Sequence, residues 1–161
     1  MTGKPEGIVI ATRGRLFEVR TAEGARIKCE VRGKVKSAAK LTTPVAVGDK
    51  VIYSLTHDER GAIEEVLPRR TTFHRPDVGS EEHKQVIAAN LDRLAIVAST
   101  KSPSLKTGLI DRFLIAARLG ELEPFIILNK IDLRSIEHCR EVVEAYNDIA
   151  VPVFPVSATT G

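Results

Sequence analysis

Asn129-Lys130-Ile131-Asp132 has the residue types and spacing of a loop that reads guanine. Guanine presents two donors side by side, N1–H and the exocyclic N2–H. A carboxylate accepts both, and adenine offers no such pair. Asp132 is suited to that task. Asn129 can bond the other edge of the base and brace neighbouring loops, and the alkyl stem of Lys130 can lie along the base plane. An adenine in the same place leaves a desolvated carboxylate unpaired, and sites built on hydrogen bonds reject the wrong partner by roughly 10⁴-fold for this reason. A second candidate loop is Ser157-Ala158. The Ala158 backbone N–H can donate to guanine O6, and its small side chain lets the base come close. The guanine-binding set is therefore Asn129, Lys130, Asp132, Ser157 and Ala158. The plainer alternative for Asn129 and Asp132 is a loop that caps the next helix.

These loops need strands to present them, and the second half of the chain supplies the pattern. Leu94 to Ser99 and Phe125 to Leu128 are continuous apolar runs, the mark of buried parallel strands. Val153 to Val156 is a third. Between them, Leu109 to Leu119 carries apolar residues at helical spacing and stops at Gly120. Ser135 can cap a second helix running to about Tyr146. Strand, helix, strand, helix, strand predicts a parallel α/β sheet, whose ligands sit at the carboxyl ends of the strands. Both candidate loops fall there.

The first half reads differently. Five short runs, near 8–11, 16–19, 27–31, 51–55 and 62–66, are separated by turn signals such as Val47-Gly48-Asp49 and Arg60-Gly61. Ile27, Cys29 and Val31 alternate with Lys28 and Glu30, as in a half-buried strand. Five strands without a helix favour closure into an OB-type barrel, which removes exposed edges. The domains expected are a barrel at 1–70, a Pro- and Gly-interrupted connector at 71–90 and an α/β part at 91–161.

Charge supports the division. Residues 1–76 hold 15 Lys+Arg against 9 Asp+Glu, while residues 77–161 hold 9 against 12. A basic module points to a polyanion. The segment Arg32 to Val45 reads as a basic loop, and Arg32, Lys34, Lys36 and Lys40 are candidate RNA contacts through phosphate. No apolar run approaches the ~20 residues of a membrane span, and the N-terminus has no signal-peptide core. Cys29 and Cys139 lack C-x-x-C partners and are expected to be reduced thiols in a cytoplasmic protein. The four histidines have no metal-ligand spacing. The phosphate-cradling motif G-x-x-x-x-G-K-[ST] does not occur, since no two glycines stand five apart.

Taken together, the residues resemble the ribosome-small-subunit-dependent GTPase A family, the circularly permuted GTPases of bacteria. The matching stretches run in family order over nearly the whole chain. They are Val47-Gly48-Asp49, Arg75-Pro76-Asp77, Ala88-Ala89-Asn90-Leu91-Asp92, Ile110-Asp111-Arg112-Phe113-Leu114, Asn129-Lys130-Ile131-Asp132-Leu133 and Val156-Ser157-Ala158. The resemblance implies an OB barrel followed by a permuted GTPase domain and a small zinc-binding domain. It also implies binding to the small ribosomal subunit and its rRNA, with GTP or GDP and Mg²⁺ as ligands. The protein is expected to be a monomer away from membranes. Because the base-reading loops come first in the permuted order, the P-loop, switch regions and zinc domain are expected after Gly161, and the 161 residues are expected to be cut before the P-loop. No catalytic residue is assigned within them, and this polypeptide is expected to be inactive. An alternative stays open: a non-catalytic OB-fold RNA-binding module with a degenerate nucleotide fold.

Overall fold

Alternation of buried and exposed residues along the first five strands closes a barrel. The computed structural model describes residues 4–36, 44–56, 60–75 and 85–160, with the side chains of residues 32–36 and 136 excluded. The chain divides into two compact units, Met1–Leu91 and Asp92–Gly161. In the first unit, β1 (Glu6–Arg13), β2 (Leu16–Thr21), β3 (Arg26–Lys36), β4 (Lys50–Leu55) and β5 (Gly61–Val66) form a closed barrel in the order β1-β2-β3-β5-β4. The β3–β5 pairing is parallel and β4 closes against β1 antiparallel. Val9, Val19, Cys29, Val51 and Ile63 fill the interior with no exposed surface. These are the positions that period-2 alternation turns inward. The OB-type barrel expected from the sequence is present.

One boundary differs. The segment from Arg32 was read as a loop, yet β3 continues to Lys36. Its ladder with β5 shifts after Val31 and resumes with Lys36 opposite Glu65. Gly33 and the surplus of cations hid a strand whose partner simply runs on. Arg32, Lys34 and Lys36 therefore belong to β3, and Lys40 lies outside the described residues.

Residues 71–90, expected as a connector, group with the barrel. They contain β6 (Thr72–His74) and β7 (Val86–Ala89), an antiparallel pair. Asn90, at φ 54°, links this pair to the barrel. Its Nδ2 donates to the Gly48 carbonyl at 2.9 Å, and its Oδ1 accepts the Arg70 N–H at 2.9 Å. The Ala89 N–H donates to the Val47 carbonyl at 2.8 Å. Gly48 must be glycine here: its φ is +87°, and a Cβ would run into the Ala89 carbonyl.

In the second unit, β8 (Arg93–Ser99), β9 (Glu123–Asn129) and β10 (Val153–Pro155) form a parallel sheet in the order β10-β9-β8. Helices α1 (Thr107–Leu119) and α2 (Ile136–Asn147) supply the crossovers. Ile96, Ile126, Leu128 and Val153 of the strands pack with Ile110 of α1 and Tyr146 of α2. Of the apolar residues that open α1, Ile110 lies in the core while Leu109 is 42% exposed. Ser135 caps α2 as expected, its Oγ accepting the His138 N–H at 3.3 Å. Among the described residues, no helix is long and apolar enough to cross a membrane. Cys29 and Cys139 are free and buried.

Candidate guanine-recognition site

The carboxyl ends of three parallel strands bring the two candidate loops side by side. Asn129 is the last residue of β9, the middle strand of the sheet, and Ser157-Ala158 follows β10. The Val156 N–H donates to the Leu128 carbonyl at 2.9 Å, and the Ile131 N–H donates back to the Val156 carbonyl at 3.3 Å. The loops are thus tied at their roots by ladder bonds that run beyond the strands.

Asn129 then joins them through its side chain. Its Oδ1 accepts the Lys130 N–H at 2.7 Å and the Ala158 N–H at 3.2 Å. With the amide oxygen engaged twice, what the side chain has left for a ligand is its NH₂ donors. The Ala158 bond is long enough to be shared with a second acceptor on the same side. Any further acceptor that meets the Ala158 N–H would share it with Asn129.

Lys130 sits at φ 64°, ψ 39°, in the left-handed region. Its Nζ donates to the Ser102 carbonyl, so the side chain is stretched across the loop that follows β8. Residues Ile131–Leu133 form one 3-10 turn. Ile131 anchors this turn by packing against the core of the unit. Asp132 points outward and is exposed, and among the described residues its carboxylate has no hydrogen-bond or ion-pair partner. It is a free acceptor on a turn held at both ends.

Ser157 has a different place from the one its motif suggests. It is 3% exposed, and its Oγ accepts the N–H groups of Thr159 at 3.3 Å and Thr160 at 3.2 Å. The hydroxyl braces the turn at 158–160, and Ala158 beside it is exposed.

Three residues outside the motifs also touch the loop. Thr100, directly after β8, is fully buried. Its N–H donates to the Asn129 carbonyl at 3.0 Å, and its hydroxyl donates to the Lys130 carbonyl at 2.5 Å. Arg134 Nε donates to the Thr100 carbonyl at 3.3 Å, and Ser102 accepts from Lys130 as described. Nothing in the types of Thr100, Ser102 or Arg134 marks them in the sequence. The one available signal is that Thr100 closes an apolar strand whose carboxyl end faces the site. The remaining candidates, Arg32, Lys34 and Lys36, lie in the other unit, on β3. Among the described residues, no three His, Cys, Asp or Glu side chains are close enough to share a metal ion.

Two family models cover nearly the whole chain: the RsgA N-terminal domain matches residues 6–63, and the RsgA GTPase model matches residues 66–161. This chain belongs to the RsgA GTPase family. Members of the family named small ribosomal subunit biogenesis GTPase RsgA include proteins from Shewanella oneidensis and Bordetella pertussis. The first is 36% identical over 96% of this chain and 44% of its own length. The second is 37% identical over 98% of this chain and 49% of its own length. Among solved structures, YjeQ from Thermotoga maritima is similar at 31% identity with a TM-score of 0.71, covering 98% of this chain and 53% of that one. YloQ, described as a circularly permuted GTPase, is similar at 27% identity with a TM-score of 0.67. The chain spans about half the length of the RsgA relatives it matches. The fold expected from the sequence, an OB-type barrel followed by part of a permuted GTPase domain, is the fold of these two similar structures.

Proposed function

We propose that the second unit is the guanine-selecting part of a GTP site and that the full-length protein is a GTPase of small-ribosomal-subunit maturation. The observation that carries this reading is the joint held by Asn129, whose one oxygen binds both loops while Asp132 stands unpaired beside them. Asp132 accepts guanine N1–H and N2–H. The Asn129 NH₂ donates to the opposite edge of the base. The Ala158 N–H, shared between Asn129 and O6, adds a donor that adenine cannot use. The stem of Lys130 covers the base plane, with its Nζ held at Ser102.

The sequence holds no G-x-x-x-x-G-K-[ST] segment. The 161-residue polypeptide therefore selects a base without cradling its phosphates, and it is inactive by itself. Phosphoryl transfer is positioning plus charge stabilisation around the γ-phosphate, and Mg²⁺ supplies part of that charge when bound. The residues described here contribute the base end of that positioning. The zinc expectation rests on the family resemblance alone.

The barrel is the rRNA-binding part in this reading, with Arg32, Lys34, Lys36 and Lys40 meeting phosphates. Two measurements test the whole. GTP hydrolysis by the full-length protein is expected to rise on adding small ribosomal subunits, and the 161-residue polypeptide is expected to release no phosphate above background. Changing Lys34, Lys36 and Lys40 to Gln is expected to weaken subunit binding. It should also flatten the salt dependence of binding by about 0.7–0.9 in log–log slope per lost contact. An unaltered slope removes these residues from the interface. Subunit binding that ignores guanine nucleotide altogether favours the non-catalytic RNA-binding alternative.

A further inference from the structure

Thr100 has three backbone or hydroxyl groups able to bond, and all three engage the recognition loop. The N–H meets the Asn129 carbonyl, the hydroxyl meets the Lys130 carbonyl, and the carbonyl receives Arg134 Nε. Two of these contacts fall just before the turn that carries Asp132, and one falls just after it. Thr100 itself is fully buried, while the Arg134 side chain that reaches its carbonyl is exposed. Lys130 occupies a left-handed conformation, which a non-glycine residue adopts only at an energetic cost. A conformation of that kind persists when its surroundings over-determine it. The Thr100 hydroxyl binds the carbonyl that leaves Lys130, the peptide whose orientation launches the 3-10 turn.

We propose that Thr100 is a positioning residue for base selection: by clamping Asn129, Lys130 and Arg134, it fixes the turn that aims the Asp132 carboxylate. The proposal rests on the guanine-reading assignment above. It makes a specific demand. Guanine and hypoxanthine differ only in the N2 amino group, and that group is read by Asp132. A loosened turn must therefore erode the preference for GDP over IDP, beyond any general loss of affinity.

The experiment measures GDP and IDP affinities by competition on the full-length protein, for the wild type, Thr100→Val and Thr100→Ser, each held well below its own melting temperature. Valine keeps the shape of threonine and deletes the hydroxyl. The GDP-over-IDP preference is expected to fall about fivefold to tenfold in Thr100→Val, the range of one buried hydrogen bond. In Thr100→Ser, which retains the hydroxyl, it should return to within about twofold of the wild type. A folded Thr100→Val protein with the wild-type ratio overturns the clamp while leaving the base reading intact. A wild type with no GDP-over-IDP preference overturns the base reading, and the clamp with it. If Thr100→Val does not fold, Arg134→Met removes the third anchor from an exposed side chain. The ratio is then expected to fall in the same direction, and an unchanged ratio counts against the clamp.

Discussion

A buried charge is tolerated only where its partners satisfy it, and Asp49 shows how completely the barrel does so. The carboxylate has no exposed surface. Its Oδ1 accepts Arg69 Nε at 2.7 Å, and its Oδ2 accepts an Arg69 terminal N–H at 2.8 Å and the Ala46 N–H at 2.7 Å. Removing one member of such a pair strands the other charge. Asp49→Ala is expected to destabilise the barrel by about 3–5 kcal/mol, read as a lower urea midpoint at unchanged slope. A loss of unfolding free energy under about 1 kcal/mol would mean the pair is not sustaining this fold. The Asp49–Arg69 contact spans 20 residues, so its chemistry could not be read from the sequence, which marked Asp49 only as part of a turn. Asn129 and Asp132 were legible because a tetrapeptide carries its own spacing. Thr100 was not, because its meaning depends on a loop 30 residues away meeting the end of its strand.

Between elements, the Tyr146 hydroxyl of α2 reaches two oxygens of α1. Tyr146 of α2 donates to Asp111 Oδ1 of α1 at 3.0 Å, with the Thr107 carbonyl 3.4 Å away. Burial, with the bond to Asp111, pushes the Tyr146 hydroxyl up to about 12 from its usual 10.0. The folded state therefore holds its proton more tightly than the unfolded chain. The stability this contributes is full below pH 10 and is lost as pH rises through about 12. Tyr146→Phe is expected to flatten the fall of stability between pH 10 and 12, a difference of about 2 kcal/mol at most. Parallel slopes for the two proteins in that window would contradict it. The strands and helices were legible from period-2 and helical spacing, to within two residues at most ends. The extension of β3 was not, because Arg32, Lys34 and Lys36 look like loop composition when the neighbouring strand is out of view. The β6–β7 pair was hidden in the same way: three- and four-residue strands carry too little pattern, and Asn90 and Gly48 complete them from 42 positions apart.

At the scale of the molecule, the chain comprises two units: a basic barrel and a sheet whose strand ends carry the loops we propose to select a base. The order of motifs made this division legible, since base-reading loops with no preceding phosphate loop suggest a permuted domain. The family models then matched on both sides of residue 65. What the sequence could not convey was how tightly the recognition loops are joined, because that depends on Asn129 Oδ1 reaching both of them. The central claim is that Asp132 reads the guanine N1 and N2 donors, and one substitution tests it directly. In Asp132→Asn of the full-length protein, the amide can still accept N1–H, but its NH₂ now meets the oxygen that xanthine carries at C2. GDP affinity is expected to fall by about 100-fold or more while XDP becomes the preferred ligand in competition. GDP affinity unchanged from the wild type, with no gain for XDP, would contradict the account.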